Sequence, residues 1–336
     1  MRIVIPMAGM GKRMRPHTLT VPKPLLPVAG KPIVQWLVED LVAMCHEKVE
    51  EVAFVIGDFG KDVENALVAI AEKHGAKGTI HYQEEALGTG HAILCAEPAL
   101  KDKVIVAFAD TLFMSDFDLD ESKDGVIWVH KVEDPRPFGV VKLSDKGLIT
   151  DFVEKPETFV SDLAIIGIYY FKDGERLRQE LQYLIDNNVR DKGEYQLTSA
   201  LENMRAKGAA FAPGRVSQWL DCGNKDATVD TNKSMLERFK DSALVSEDVQ
   251  VENGLILAPS YVGKGVVIRN SIVGPHASIG DQTVLEDVVI RDSIVQQNSR
   301  IRGLVIEHSM IGNHVSLDQP PADMSVGDYT TVKSKG

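Results

Sequence analysis

The most constraining feature of this chain is a spacing of six residues between apolar side chains after about residue 245. The series comprises Val262 and Ile268; Val273, Ile279 and Leu285; Val295 and Ile301; and Ile311 and Leu317. A second set of small or apolar residues follows four positions later, namely Ala277, Thr283, Val289, Ser299, Val305 and Val315. A period of six predicts a β-helix of triangular section, in which each hexapeptide forms one side of a coil. A β-sandwich is the alternative, although its strands would show alternation without the fixed step.

The first two-thirds of the chain alternates short apolar runs with segments of helical periodicity. Buried strands are predicted at 3–5, 52–56, 79–83 and 104–108, and helices at 32–44, 63–74 and 91–99. Short buried strands separated by helices are typical of a mostly parallel α/β sheet with helices on both faces. Ligands bind beyond the carboxyl ends of such strands. We therefore expect one edge of the sheet to carry Gln83, Asp110 and the loop after the first strand, which contains Gly9 and Gly11 and is called the Gly loop below.

Length and charge limit the class of protein. A chain of 336 residues is long enough for about two domains. The formal charge of −12 argues against a nucleic-acid-binding protein, whose binding surface is usually basic. No charged-then-apolar leader and no run of 18 apolar residues is visible, and three widely separated cysteines follow no metal spacing. We therefore expect no membrane partner and a cytoplasmic protein with reduced thiols.

A glycine-rich turn follows the first predicted strand. Gly9 and Gly11 open the backbone, and three cations, including Lys12 and Arg13, lie close behind them. Such a turn presents N–H groups to a polyphosphate. A P-loop is excluded because Arg13 stands where Ser or Thr must follow the Lys. A dinucleotide fingerprint is excluded because Met14 occupies the position of its third glycine.

The spacing G-x-G-x-R-x-x-P-x-T, followed by Pro22-Lys23-Pro24, resembles the signature of sugar-1-phosphate nucleotidylyltransferases. The resemblance covers nearly the whole chain and is closest to two groups. These are the long-type glucose-1-phosphate thymidylyltransferases, which carry a hexapeptide-repeat left-handed β-helix, and the UTP–glucose-1-phosphate uridylyltransferases. It implies a Rossmann-like mixed, mostly parallel sheet layered by helices, plus the C-terminal β-helix. The implied domains are a catalytic domain at 1–240, the β-helix at 241–320 and a flexible tail at 321–336.

The resemblance also implies which residues contact the nucleotide. The matching Arg13 and Lys23 are expected to bind the triphosphate and to stabilise the charge that moves onto pyrophosphate. Nucleotide-binding residues are expected at Ala8, Gly9, Gly11, Lys12, Gln83, Gly88 and Thr89. The amide of Gln83 can donate to and accept from a pyrimidine edge, which dTTP and UTP share.

A divalent cation must screen the phosphates, and Mg²⁺ takes one or two protein carboxylates. Asp110, at the tip of the strand predicted at 104–108, is one candidate ligand. The segment Trp219–Gly223 resembles the second metal site of the family and supplies Asp221.

Three segments in the middle third resemble the sugar-binding motifs of the family: Phe138–Val141, Glu154–Pro156 and Gly193–Thr198. The residues implied for sugar-phosphate binding are Gly139, Glu154, Lys155 and Glu194. Ile165 stands where members specific for acetylated hexosamines carry Asn, which favours glucose or a similar hexose. Ser199 and Lys12 also depart from the family pattern, which has Asp and Thr at these positions.

The resemblance therefore implies Mg²⁺-dependent transfer of a nucleotidyl group from dTTP or UTP to glucose-1-phosphate or a related hexose-1-phosphate, with release of pyrophosphate. The partners are then a nucleoside triphosphate, a sugar-1-phosphate and further copies of the chain in a homo-oligomer. Three alternatives stay open at this point. They are a mannose-1-phosphate guanylyltransferase, a non-catalytic homologue that binds sugar nucleotides, and a bifunctional enzyme whose β-helix uses His276, His308 or His314 as the base of an acetyltransferase.

Overall fold

The structure is a computed structural model that describes residues 1–114 and 119–331. The chain divides into two compact units, Met1–Thr231 and Asn232–Gly336. The division falls before the boundary that we predicted at residue 240, which stays a prediction. Within the described residues, no helix is long and apolar enough to cross a membrane.

The first unit combines strands with helices. Its strands are β1 (Arg2–Pro6), β2 (Pro27–Val28), β3 (Lys31–Pro32), β4 (Glu51–Ile56), β5 (Lys77–Tyr82), β6 (Val104–Ala107), β7 (Thr111–Met114), β8 (Gly125–Lys131), β9 (Gly139–Leu143), β10 (Ile149–Glu154), β11 (Leu163–Phe171), β12 (Phe211–Arg215) and β13 (Gln218–Asp221). The helices are α1 (Ile33–Met44), α2 (Lys61–Lys73), α3 (Thr89–Leu94), α4 (Gly174–Asp186), α5 (Leu197–Ala206) and α6 (Lys225–Arg238), the last of which crosses the division.

A mixed sheet forms the core of this unit and confirms the predicted α/β class. In the described part of the chain, the sheet has nine strands: seven follow the order β10-β9-β11-β6-β1-β4-β5, and β8 and β12 extend the sheet from β11. Strands β5, β4, β1 and β6 are parallel, and β11 runs antiparallel to β6. The apolar runs of β1, β4 and β6 are fully buried, as expected for strands covered on both faces. Their carboxyl ends all lead into loops at one edge.

The helix predicted at 91–99 is shorter in the structure and begins two residues earlier in the sequence. It begins at Thr89 and ends at Leu94, and a separate 3₁₀ turn follows at Glu97–Ala99. Pro98 fits the first turn of such a helix but cannot donate a hydrogen bond inside a longer one. The other predicted strands and helices agree with the structure to within a few residues.

The second unit is a stack of coils and confirms the predicted β-helix. Three parallel sheets pair each strand with its equivalent in the next coil, as in a left-handed parallel β-helix. One sheet contains β14 (Gln250–Glu252), β17 (Val267–Arg269), β20 (Val284–Glu286), β23 (Arg300–Arg302) and β26 (Ser316–Asp318). The second contains β15 (Leu255–Ile256), β18 (Ile272–Val273), β21 (Val289–Arg291) and β24 (Val305–Glu307), and the third contains β16 (Tyr261–Val262), β19 (Ala277–Ile279), β22 (Ser293–Val295) and β25 (Met310–Ile311).

The step of six residues is not kept around every coil. Paired residues are 17 apart in the first coils, as in Gln250 with Val267, and 16 apart in the later ones, as in Arg300 with Ser316. Sides that are one residue short bring Ile290 and Ile306 into the core, so that Val289 and Val305 face outward. Val289 and Val305, which belong to the second set of small or apolar residues, are exposed.

The end of the chain carries no regular secondary structure. Residues 319–331 form no helix or strand and are exposed throughout. The predicted tail at 321–336 overlaps this segment, and its last residues, 332–336, lie outside the described part.

Candidate active site

A cavity of about 410 Å³ opens beyond the carboxyl ends of β1, β5 and β6. The predicted site residues that line it are Ala8, Gly9, Gly11, Lys12, Arg13, Lys23, Gln83, Gly88, Thr89, Asp110 and Glu194. Gly223, two residues after Asp221, lines it as well, whereas Asp221, Gly139, Glu154 and Lys155 are not part of this lining. The fold thus brings together residues that are up to 217 positions apart in the sequence, from Pro6 to Gly223.

The two glycines of the loop after β1 have different roles. Gly11 adopts a left-handed conformation with φ 56°, and a Cβ there would lie 3.0 Å from Lys23 Cβ. The Thr18 hydroxyl donates a hydrogen bond to the Gly11 carbonyl at 2.9 Å and closes the turn. A Cβ on Gly9 would meet no atom within 4 Å. Gly11 is therefore required by the turn itself, whereas the space beside Gly9 is open to a ligand.

Lys23 and Asp110 form an ion pair inside the site. The Lys23 side chain is almost buried, and its Nζ lies 2.8 Å from Asp110 Oδ2. A buried ammonium requires such a partner, because desolvation of an unpaired charge is costly. The pair therefore places one cation and one carboxylate at the same point of the cavity.

Pairing between β7 and β13 brings the two predicted metal ligands together. Asp221 is the register partner of Thr111, and the Cys222 N–H donates to the Asp110 carbonyl at 2.9 Å. The Gly223 N–H donates to Asp221 Oδ1 at 2.9 Å. Pairing of β7 with β13 thus brings Asp110 and Asp221 close together, and of the two only Asp110 lines the cavity.

The electrostatics of this pair suit a divalent cation. Burial and then the nearby Asp110 charge raise the pKa of Asp221 above its ordinary value, while Lys23 and Arg13 act in the opposite direction. Carboxylate oxygens whose negative charges repel each other are good ligands for Mg²⁺, which needs only one or two of them. Within the described residues, no cluster of three or more His, Cys, Asp or Glu side chains could hold a metal ion. The donor set therefore fits Mg²⁺ that shares its coordination with phosphate and water.

On the other side of the cavity, Gln83 is held by two neighbours. Its Nε2 donates to the Gly88 carbonyl at 3.2 Å and lies 3.1 Å from His91 Nδ1. Because the carbonyl can only accept, it fixes the amide orientation, and His91 Nδ1 must then accept as well. Burial lowers the pKa of His91, in agreement with a neutral ring. The amide oxygen is left facing no donor from the described residues.

Gly88 is required for a reason that the sequence did not reveal. Its φ is 119°, and a Cβ would lie 2.6 Å from the Tyr195 carbonyl oxygen. The Tyr195 N–H donates to the Leu87 carbonyl at 2.9 Å, and its carbonyl accepts from the Gly90 N–H at 2.8 Å. The glycine therefore permits the loop before α3 to lie against the segment before α5.

The predicted sugar-side residues lie in two groups. Glu194 lines the cavity and accepts a hydrogen bond from Gln196 Nε2 at 3.0 Å. Glu154 accepts from the Thr198 hydroxyl at 3.3 Å, and its Oε1 lies 3.5 Å from Lys155 Nζ. A Cβ on Gly139 would lie 3.1 Å from Glu154 Oε2 and 3.4 Å from Ile165 Cδ1. Ends of β9, β10 and α5 thus form the second group.

Four residues of the site were not assigned a role from the sequence, namely Thr18, His91, Gln196 and Thr198. Thr18 occupies the last position of the motif that we used, so the motif itself contained the signal. Gln196 and Thr198 lie within the segment Gly193–Thr198 that resembles a sugar-binding motif, although no role was given to them individually. No feature of the sequence indicated a role for His91.

The histidines of the β-helix occupy turn positions of the coils. His276, His308 and His314 have φ between 46° and 59°. His276 Nε2 lies 2.6 Å from Glu237 Oε1, at the end of α6. A histidine held in this way against α6 is part of the packing of the second unit.

The chain belongs to the nucleotidyl transferase family, whose model matches residues 3–238. It is 30% identical to a glucose-1-phosphate thymidylyltransferase of Streptomyces antibioticus over 99% of both chains. A glucose-1-phosphate thymidylyltransferase of Streptomyces griseus is 29% identical over 96% of this chain and 94% of the relative. Among solved structures, a UDP-glucose pyrophosphorylase in complex with UDP-glucose superposes with a TM-score of 0.59 at 25% identity, covering 70% of this chain and 98% of the other.

Proposed function

We propose that this nucleotidyltransferase joins a pyrimidine nucleoside triphosphate, dTTP or UTP, to glucose-1-phosphate or a related hexose-1-phosphate. The observation that carries the proposal is the cavity in which Arg13, Lys23, Asp110, Gln83 and Glu194 meet. Relatives of nearly the same length are glucose-1-phosphate thymidylyltransferases, which supports the same reaction here. A phosphate oxygen of the sugar phosphate attacks the α-phosphorus, the bond to the bridging oxygen of the β-phosphate breaks, and pyrophosphate leaves.

The Gly loop and its cations would hold the triphosphate. The open space beside Gly9 admits phosphate oxygens, and Lys12 and Arg13 line the same cavity. Both substrates are anionic, so that neutralisation of charge and alignment supply most of the rate enhancement. Arg13 and Lys23 are accordingly proposed to stabilise the charge that develops on pyrophosphate.

Asp110 and Asp221 would hold Mg²⁺. When bound, Mg²⁺ neutralises phosphate charge that would otherwise repel the attacking oxyanion. Lys23 lies beside the same carboxylate, with its Nζ 2.8 Å from Asp110 Oδ2, so its ammonium would also be close to the phosphates.

Gln83 would identify the base through its amide oxygen. Both of its N–H groups face the Gly88 carbonyl and His91, so the oxygen remains to accept from a ligand. The imide N–H of thymine or uracil is such a donor. Guanine also offers a ring N–H, so the guanylyltransferase alternative is left to experiment.

The sugar phosphate would lie between the two sugar-side groups. Glu194 and Glu154 can accept from hydroxyl groups, and Lys155 can contact the phosphate. Ile165 is buried next to Gly139 and offers no amide to an acetamido group. This supports glucose over an N-acetylated hexose. A homo-oligomer and a cytoplasmic location stay predictions.

The test measures pyrophosphate release for every pair of a nucleoside triphosphate and a sugar-1-phosphate in the presence of Mg²⁺. The triphosphates are dTTP, UTP, GTP, CTP and ATP, and the sugar phosphates are glucose-1-phosphate, mannose-1-phosphate and N-acetylglucosamine-1-phosphate. We expect the highest kcat/KM for dTTP or UTP with glucose-1-phosphate. A maximum at GTP with mannose-1-phosphate would replace the proposal by the guanylyl alternative. Absence of pyrophosphate from every pair, with retained binding of a sugar nucleotide, would indicate the non-catalytic homologue.

A further inference from the structure

We propose that Gln196 is a positioning residue that holds the Glu194 carboxylate on the sugar side and connects it to the loop that carries Gly88 and Thr89. The proposal rests on the proposed function, because Glu194 is assigned to the sugar there. Gln196 immediately precedes α5 and is 5% exposed. Its side chain makes no capping bond to the helix, and both ends of its amide face residues that line the cavity.

Gln196 is part of a chain of hydrogen bonds that leads from Thr89 to Glu194. The Leu197 N–H donates to the Thr89 hydroxyl oxygen at 3.0 Å, so the hydroxyl proton is free to point elsewhere. That hydroxyl donates to Gln196 Oε1 at 3.0 Å. The amide nitrogen must therefore face the other way, and Nε2 donates to Glu194 Oε2 at 3.0 Å. The Thr89 hydroxyl thus sets the amide orientation, and the amide sets the position of the carboxylate.

The backbone around this chain of bonds is tied together as well. Tyr195 lies between Glu194 and Gln196, and it exchanges hydrogen bonds with Leu87 and Gly90. On the nucleotide side, Gln83 Nε2 donates to the Gly88 carbonyl. A continuous path of contacts therefore leads from the base-reading amide to the sugar-side carboxylate.

Residue type explains why a glutamine is suited to this position. A carboxylate at this position would repel Glu194 and would lack the N–H group that donates a hydrogen bond to Glu194. An apolar residue of the same length would leave the Thr89 hydroxyl and Glu194 without their common partner. A free Glu194 side chain would then lose its preferred orientation, and the sugar would lose affinity while the base and phosphates would not.

The experiment compares binding of dTDP with dTDP-glucose, and of UDP with UDP-glucose, by isothermal titration calorimetry in wild type and Gln196→Met. We expect the affinity for the nucleoside diphosphate to change by less than about twofold, whereas the additional affinity given by glucose falls about tenfold, the loss typical of a hydrogen bond to a charged group. Gln182→Met is the matched control, because Gln182 donates to Asp186 on the surface of α4.

A double variant tests that Gln196 acts through Glu194. In a Glu194→Gln background, Gln196→Met should weaken binding of the sugar nucleotide no further. A second pair, Thr89→Val and Thr89→Ser, tests the other end of the chain if Gln196→Met does not fold. The valine should reduce the contribution of glucose, and the serine, which keeps the hydroxyl, should retain it.

The outcomes separate the two proposals. Wild type that gains no affinity from glucose contradicts the assignment of glucose in the proposed function. Wild type that gains it, with a Gln196→Met variant that keeps the full gain, overturns the role of Gln196. An equal loss of dTDP and dTDP-glucose affinity, or an undiminished effect in the Glu194→Gln background, would also overturn it by indicating a general structural role.

Discussion

The orientation of single side chains in this site is fixed by whether their partners donate or accept hydrogen bonds. The Gly88 carbonyl only accepts, so it orients the Gln83 amide, and this in turn requires a neutral His91 with an acceptor at Nδ1. Thr89 orients Gln196 in the same way. The Gln83 and Gln196 amides are therefore each held in one of their two possible orientations.

The state of His91 predicts a pH dependence. Burial lowers the pKa of His91 below its ordinary 6.5, so its neutral form contributes stability above pH 6.5, and this is lost as the pH falls through the lowered pKa. Protonation would place an N–H opposite Gln83 Nε2. We expect the KM for the triphosphate to rise about threefold to tenfold on acidification to pH 5.

His91→Gln is the variant that checks this expectation. The triphosphate itself titrates near pH 6, so the informative quantity is the ratio of wild-type to variant KM across pH 5 to 8. The variant cannot titrate at this position and should lose the additional rise. Parallel profiles for the two proteins would contradict the role given to His91.

At the scale of secondary-structure elements, the site residues are positioned chiefly by the contact between the loop before α3 and the segment before α5. Gly88→Ala would put a Cβ 2.6 Å from the Tyr195 carbonyl oxygen. The loop must then move, and a displacement of about 1 Å at a reacting site costs on the order of 100-fold in rate. We expect kcat/KM for both substrates to fall by about this factor.

Gly147→Ala is the matched control for that measurement. Gly147 also has a positive φ, 75°, but a Cβ there would meet no atom within 4 Å. It should cost only about 1–2 kcal/mol of stability for the left-handed backbone, with unchanged activity. Similar losses of kcat/KM in the two variants would show that backbone strain alone, and not the Tyr195 contact, explains the effect.

The β-helix shows where sequence periodicity stops predicting an element. A step of six residues correctly predicts stacked coils and most core residues, such as Ile279 and Leu285. The step is not kept after Leu285 and after Ile301, where a five-residue side places Ile290 and Ile306 in the core and leaves the neighbouring Val289 and Val305 exposed. Two adjacent apolar residues are equally suited to the core by composition, and only the coil geometry selects one of them.

At the scale of the whole molecule, the residues that line the cavity could be named from the sequence more readily than the contacts between them. The loop glycines and Asp110 could be named because they follow predicted strands, and Arg13 and Lys23 because they match the motif of the family. Gln196 could not, because its role depends on Thr89, which is 107 positions away. Hydrogen-bond chains of this kind follow from tertiary packing, and no local pattern encodes them.

The most direct test of the whole account is pyrophosphate release from dTTP and glucose-1-phosphate with Mg²⁺, measured for wild type, Asp110→Asn and Asp145→Asn. Asp145 is an exposed residue of the turn between β9 and β10 and serves as the matched control. We expect Asp110→Asn to lose at least about 100-fold in kcat while remaining folded, and Asp145→Asn to match wild type. A folded Asp110→Asn variant with the wild-type rate would contradict the proposed site.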